Sequence, residues 1–168
     1  MQREVMAASG QHLPTEYKLH PGAVLYGALN LEELAESLQG MQAALRLAAD
    51  TAPQSLALAE LFRETAEMMK GNSLAIRELV KQVPSETVWP MQRPHLREMA
   101  DGATDLMVTN AGFALALGLP GPALYVEVVS SNLTKKNPLT GVIDRTPDGK
   151  WIKGVDYREP DIDKVLFG

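Results

Sequence analysis

The chain has 168 residues, 45% of them apolar and 22% charged, enough for one ordinary globular domain with its own core. Its net charge of −5 disfavours a nucleic-acid binder, which needs a basic surface to neutralise phosphate. It has no cysteine, which excludes a disulfide-stapled scaffold and a thiolate metal site.

The first stretch, QREVMAASGQ, reads as a short helix ending near Gly10. Its early charges and missing apolar core do not match a signal peptide. HLPTEYKLHPG is a connector broken by Pro14 and Pro21. From Ala23, apolar residues recur at Val24, Leu25, Ala28, Leu31, Leu34, Ala35, Leu38, Met41 and Leu45, which predicts a long amphipathic helix to about Ala49. After DTAPQS, the residues Leu56, Leu61, Phe62, Met68 and Met69 predict a helix stopped by the GNS at 71–73. Leu74 to Val83 predicts another, ended by Pro84. A proline-bounded loop follows, and a helix restarts near Pro94 and runs to Gly118. PALYVEVVSSNLTK reads as a further helix. The last thirty residues are loop-rich, with a hairpin expected around Asp148-Gly149.

Strand signals are minor and no repeat is evident, so the expectation is one all-α domain over residues 1–168. Residues 106–126 carry no charge, but Gly118, Pro120, Gly121 and Pro122 break the run. Each apolar piece falls short of the roughly 20 residues that span a bilayer. A soluble cytoplasmic protein with no membrane partner is expected. The remaining methionines (Met6, Met41, Met68, Met69, Met91, Met99 and Met107) read as core filler.

Two acidic sets stand out. Glu32, Glu33 and Glu36 share one side of a helix, because residues three and four apart are neighbours. No basic residue lies at the balancing positions, where Ser37 and Gly40 stand instead. A capping box from Asn30 to Glu33 would account for part of the cluster if the helix began at Leu31. The apolar stripe at Val24, Leu25 and Ala28 argues for an earlier start. A hard cation such as Mg²⁺ or Mn²⁺ would also offset the repulsion. The second set is Glu98, Asp101 and Asp105, again on one face. Beyond Asp105 the helix is almost wholly apolar, which predicts burial in a bundle and places Asp105 at the edge of the core. Two such helices packed antiparallel would gather five or six carboxylates, as bundle metal sites do.

These residues resemble a family. Glu32-Glu33-x-x-Glu36 is similar to the E-E-x-x-E motif of the all-α nucleoside triphosphate pyrophosphohydrolases, the MazG-like and phosphoribosyl-ATP-pyrophosphohydrolase-like proteins. DGATDLMVTNAGFALALGL resembles their second acidic helix. EVVSSNLTKKN followed by DGKWIKGVDYREPDI resembles the bacterial and phage members that cleave dUTP and related deoxynucleotides. The matches touch about two thirds of the chain. Two departures are visible. Asp105 takes the family's aspartate position, but Gly102 stands where a glutamate is expected, and Asp101 on the same face takes its place, with Glu98 outside. The literal alternative register is Glu98-x-x-Asp101. Residues 50–93 form a longer insertion than the motifs explain.

The resemblance implies metal-dependent hydrolysis of a nucleoside triphosphate to the monophosphate and pyrophosphate, with dGTP and dUTP as first candidates and nucleotide-pool control as the purpose. It implies Mg²⁺, or Mn²⁺, on Glu32, Glu33, Glu36, Asp101 and Asp105, with Glu32 or Glu33 taking the proton of the attacking water. It favours Asn132, Lys135, Lys150 and Lys153 for the phosphates. Gln11 and Ser9 are the base-reading candidates, and Trp151 or Tyr157 would stack. Asp144, Asp148, Asp156, Glu159, Asp161 and Asp163 nearly balance the cations Lys135, Lys136, Lys150, Lys153 and Arg158, so an ordinary mixed surface is the competing reading. The resemblance also implies a homodimer or homotetramer, and a host-cell cytoplasm if the protein is phage-encoded. Two rivals stand beside it: a metal-free helical interaction protein with an acidic face, and a phosphoribosyl-ATP pyrophosphohydrolase.

Overall fold

The computed structural model describes residues 4, 8, 17–48, 50, 52–146 and 150–168. Five helices form among them: α1 (Pro21–Leu47), α2 (Gln54–Lys81), α3 (Arg93–Ala116), α4 (Gly121–Leu133) and α5 (Ile162–Phe167). Extended structure among these residues is limited to three isolated antiparallel bridges, so the fold is all-α. The chain divides into two compact units: Leu19–Trp89, and Met1–Lys18 with Pro90–Gly168. The expected helix at residues 2–11 lies outside the described residues, apart from Glu4 and Ala8, which are helical.

The first unit is an antiparallel hairpin of α1 and α2. Pro21 opens α1 with a backbone angle already suited to a helix, so Asn30 lies inside the helix and does not cap it. Leu25, Ala28, Ala35 and Leu38 are the buried positions of α1 beyond Pro21. Ser55, Ala59, Ala66 and Ser73 are those of α2. These residues recur at helical spacing and are mostly small, which lets two helices approach closely. Met41, Phe62 and Met69 pack around Ala35, Leu38 and Ala66 and fill the seam.

One edge of this seam is polar. Glu32 meets Arg77 at 3.2 Å, Gln39 accepts from Lys70 at 2.9 Å, and Arg46 lies 3.6 Å from Glu60. The α1 partners are seven residues apart while the α2 numbers fall, as an antiparallel register requires. At the open end of the hairpin, Trp89 N–H donates to the Leu19 carbonyl at 2.9 Å.

The helix break expected at GNS is absent. Gly71 and Asn72 face solvent while Ser73 is 1% exposed on the seam. A glycine costs about 1 kcal/mol in a helix interior. Packing along the full length of α1 outweighs that cost, so residues 54–81 form one helix.

In the second unit, Gln92 caps α3, and its N–H donates to His95 Nδ1 at 3.3 Å. The expected burial of this helix is not found: α3 has no buried residue. Met107 is 74% and Leu115 78% exposed, so Asp105 stands on an exposed helix and not at a core edge. Met68 and Met99 are likewise exposed, not core filler. Periodicity identifies an apolar face but not what covers it. Gly118, with φ +69°, ends α3, and the chain bends by 116° into α4. Among the described residues, no single helix is long and apolar enough to cross a membrane.

After α4 the chain turns through Gly141, again with φ +69°, and returns so that Ile143 bridges Lys136. Ile143 is 2% exposed. Arg145 and Trp151 then pair antiparallel, flanking the expected hairpin, whose turn at Asp148-Gly149 lies outside the described residues. The tail ends in α5, capped by the Asp161 carboxylate and missed by the sequence reading.

Candidate functional site

The acidic residues of α1 do not behave alike. Glu32 points into the hairpin seam, where its side chain is 23% exposed and pairs with Arg77, itself 11% exposed. A cation therefore does balance one glutamate of the cluster. It comes from 45 residues away and not from the next helical turn. Glu33 and Glu36 are exposed. On α3, Glu98, Asp101 and Asp105 are exposed too. Glu98 and Asp101 line a groove of about 920 Å³ with Tyr17, Arg93 and Arg97. The two arginines place positive charge beside these carboxylates, which sequence motifs did not single out.

The donor chemistry of these carboxylates suits Mg²⁺ or Mn²⁺, which take hard oxygen ligands. Among the described residues, no three acidic or histidine side chains lie close enough together to hold an ion. Glu33 and Glu36 on α1, and Asp101 and Asp105 on α3, are the exposed candidate donors, and Glu32 pairs with Arg77.

The candidate phosphate-binding residues are better assembled. The Lys135 ammonium donates to Asn132 Oδ1 at 2.7 Å. It lies 5.7 Å from the Trp151 ring centroid and 5.5 Å from that of Tyr157. Lys153 lies 4.7 Å from the same Tyr157 ring and donates to Glu159 at 3.0 Å. A cation over an aromatic face is held by the ring's quadrupole. Hydrogen bonding to the Glu159 carboxylate raises the Lys153 amine above its ordinary pKa. Lys150 is exposed, and its carbonyl accepts from Thr146 N–H at 2.8 Å. Gln11 and Ser9 lie outside the described residues.

The backbone explains why these side chains meet. Gly154 sits where a Cβ would lie 3.2 Å from the Lys135 carbonyl, so a larger residue here would crowd the close passage of the chain. Tyr157 N–H then donates to the Gly154 carbonyl at 3.1 Å, closing a turn that brings the Tyr157 ring back toward Lys135. Two lysines, an amide and two aromatic rings thus converge at the C-terminal end of α4. Comparison with protein-family models, curated proteins and solved structures finds no match for this chain.

Proposed function

We propose that this protein is a divalent-metal-dependent pyrophosphohydrolase of (deoxy)nucleoside triphosphates, acting in nucleotide-pool control. The observation that carries the reading is the convergence of Asn132, Lys135, Trp151, Lys153 and Tyr157. Lysine ammoniums suit phosphate oxygens, and aromatic ring faces suit a nucleobase. Of these residues, Asn132, Lys135 and Lys153 are among those that the resemblance to the all-α pyrophosphohydrolases favours for the phosphates. The two exposed acidic pairs support the same reading.

In this account carboxylates hold Mg²⁺ or Mn²⁺, and the candidate ligands are Glu33 and Glu36 on α1 and, separately, Asp101 and Asp105 on α3. The bound ion supplies charge neutralisation for the triphosphate and acidifies an attacking water. Lys135 and Lys153 hold phosphate oxygens, and Trp151 or Tyr157 packs against the base. Glu32 or Glu33 is the proton acceptor, and the pairing of Glu32 with Arg77 makes the two inequivalent. dGTP and dUTP are the first candidate substrates.

The exposed apolar residues of α3, with those of α2 such as Leu61 and Met68, support a homodimer or homotetramer. Thermal melting with added Mg²⁺ or Mn²⁺ tests the reading. A ligand that binds the native state raises the melting temperature. A rise that Glu36→Gln or Asp105→Asn removes supports the assignment. No rise, with no pyrophosphate formed, favours a metal-free interaction protein.

A further inference from the structure

Four polar contacts fasten the tail to one stripe of α4. Glu127, Ser131 and Thr134 are spaced four and three residues apart, so they share a face. The Ser131 hydroxyl donates to the Arg158 carbonyl at 2.7 Å, and the Arg158 N–H donates to Thr134 Oγ1 at 2.9 Å. Glu127 Oε1 accepts from the Asp161 N–H at 2.8 Å and also pairs with the Arg158 guanidinium. Ser131 is 1% exposed, so its bond to the tail replaces water outright. The residue just before this clamp is Tyr157, whose ring both Lys135 and Lys153 approach.

Glu127 is too far along α4 to serve the ligand itself. It lies six residues, about 9 Å of helix, before Leu133, while Lys135 lies beyond that end. Its acceptor oxygen is already engaged by two tail groups.

We infer that Glu127 is a positioning residue: by fastening Arg158 and Asp161 to α4 it holds Tyr157 and Lys153 against Lys135, and so builds the cation site for the triphosphate. This rests on the reading of that cluster as the phosphate-binding site. Glu127→Ala removes both tail bonds, whereas Glu127→Gln keeps an acceptor for the Asp161 N–H and loses the charge facing Arg158.

Two measurements on the full chain test the inference. The first is amide hydrogen exchange at Arg158 and Asp161, which reads the strap without any ligand. The second is calorimetric binding of inorganic tripolyphosphate, with KM and kcat measured once a nucleotide substrate is found. In Glu127→Ala both amides exchange faster, tripolyphosphate binds on the order of tenfold more weakly, and KM rises with little change in kcat. Glu127→Gln falls between Glu127→Ala and the unaltered chain, which also covers the case in which Glu127→Ala fails to fold. A released strap with unchanged binding overturns the inference and leaves the phosphate site standing. Unchanged exchange in both variants overturns it as well. If the unaltered chain binds no tripolyphosphate while Glu127→Ala still frees the tail, the phosphate-site reading is what has failed, and the role inferred for Glu127 falls with it.

Discussion

The Glu32 carboxylate of α1 and the Arg77 guanidinium of α2 meet at 3.2 Å inside the hairpin seam. Removing one partner of a fully buried pair costs about 3–5 kcal/mol, and an exposed pair is worth about 0–1 kcal/mol. This pair lies between those limits. Arg77→Met should destabilise the protein by about 1–3 kcal/mol in urea unfolding, and adding Glu32→Gln should recover part of the loss. Glu33→Gln, on the exposed side, should change stability by less than about 0.5 kcal/mol. Equal effects at the two glutamates would remove the distinction between a seam residue and an exposed one.

Gly71 lies in mid-helix with nothing within 4 Å of an added Cβ. Gly71→Ala should therefore stabilise the protein by about 0.5–1 kcal/mol, read from the denaturation midpoint. A loss of stability would mean that the backbone at GNS is not continuous helix.

Much of the fold was legible in the sequence, for reasons that individual residues make plain. The stripe from Val24 to Leu45 marked α1 to within two residues at each end, because burial against α2 enforces its spacing. The break at GNS was misread because local propensity suggested a stop, while the Ala66-to-Ser73 seam requires a helix. Arg77 was not recognised as the counter-charge of Glu32, since a partner 45 residues away leaves no local signal. The Lys135 cluster was visible only as residue types. The turn at Gly154, which brings them together, was not. The strap from Glu127 to Asp161 was missed for the same reason: it is a contact between distant segments.

The exposed faces of α2 and α3 predict self-association. Light scattering should give a mass of at least twice the 18.3 kDa chain. Met107→Lys together with Leu115→Lys should lower that mass, because both side chains are more than 70% exposed in the single chain. A mass of one chain would contradict the proposed homo-oligomer.

Glu127 predicts a pH dependence. The Arg158 guanidinium, and then the Asp161 N–H, hold its carboxyl below the ordinary value of 4.5, and Lys164 adds to the effect. A depressed carboxylate pKa contributes stability that is complete above the unfolded value and is lost as pH falls through the folded one. The Arg158 and Asp161 amides should therefore stay protected down to pH 4.5 and lose protection only below it. Glu127→Gln should abolish that acid-side transition. A transition near neutrality would assign the strap to some other group.

The proposed metal ligands predict a loss of turnover without a loss of fold. Glu36→Gln and Asp105→Asn alter exposed residues and should leave unfolding within about 0.5 kcal/mol of the unaltered chain. Each should lower metal-dependent turnover by at least the roughly 100-fold that weakened metal sites show. Full activity in either variant would remove that residue from the site.

The most direct test of the central claim is pyrophosphate release, measured over all ribo- and deoxynucleoside triphosphates with Mg²⁺ and again with chelator. The account predicts monophosphate and pyrophosphate in equal amounts from at least one deoxynucleotide, dependent on metal and impaired by Lys135→Ala. No release from any nucleotide, or release that chelator leaves untouched, would contradict it.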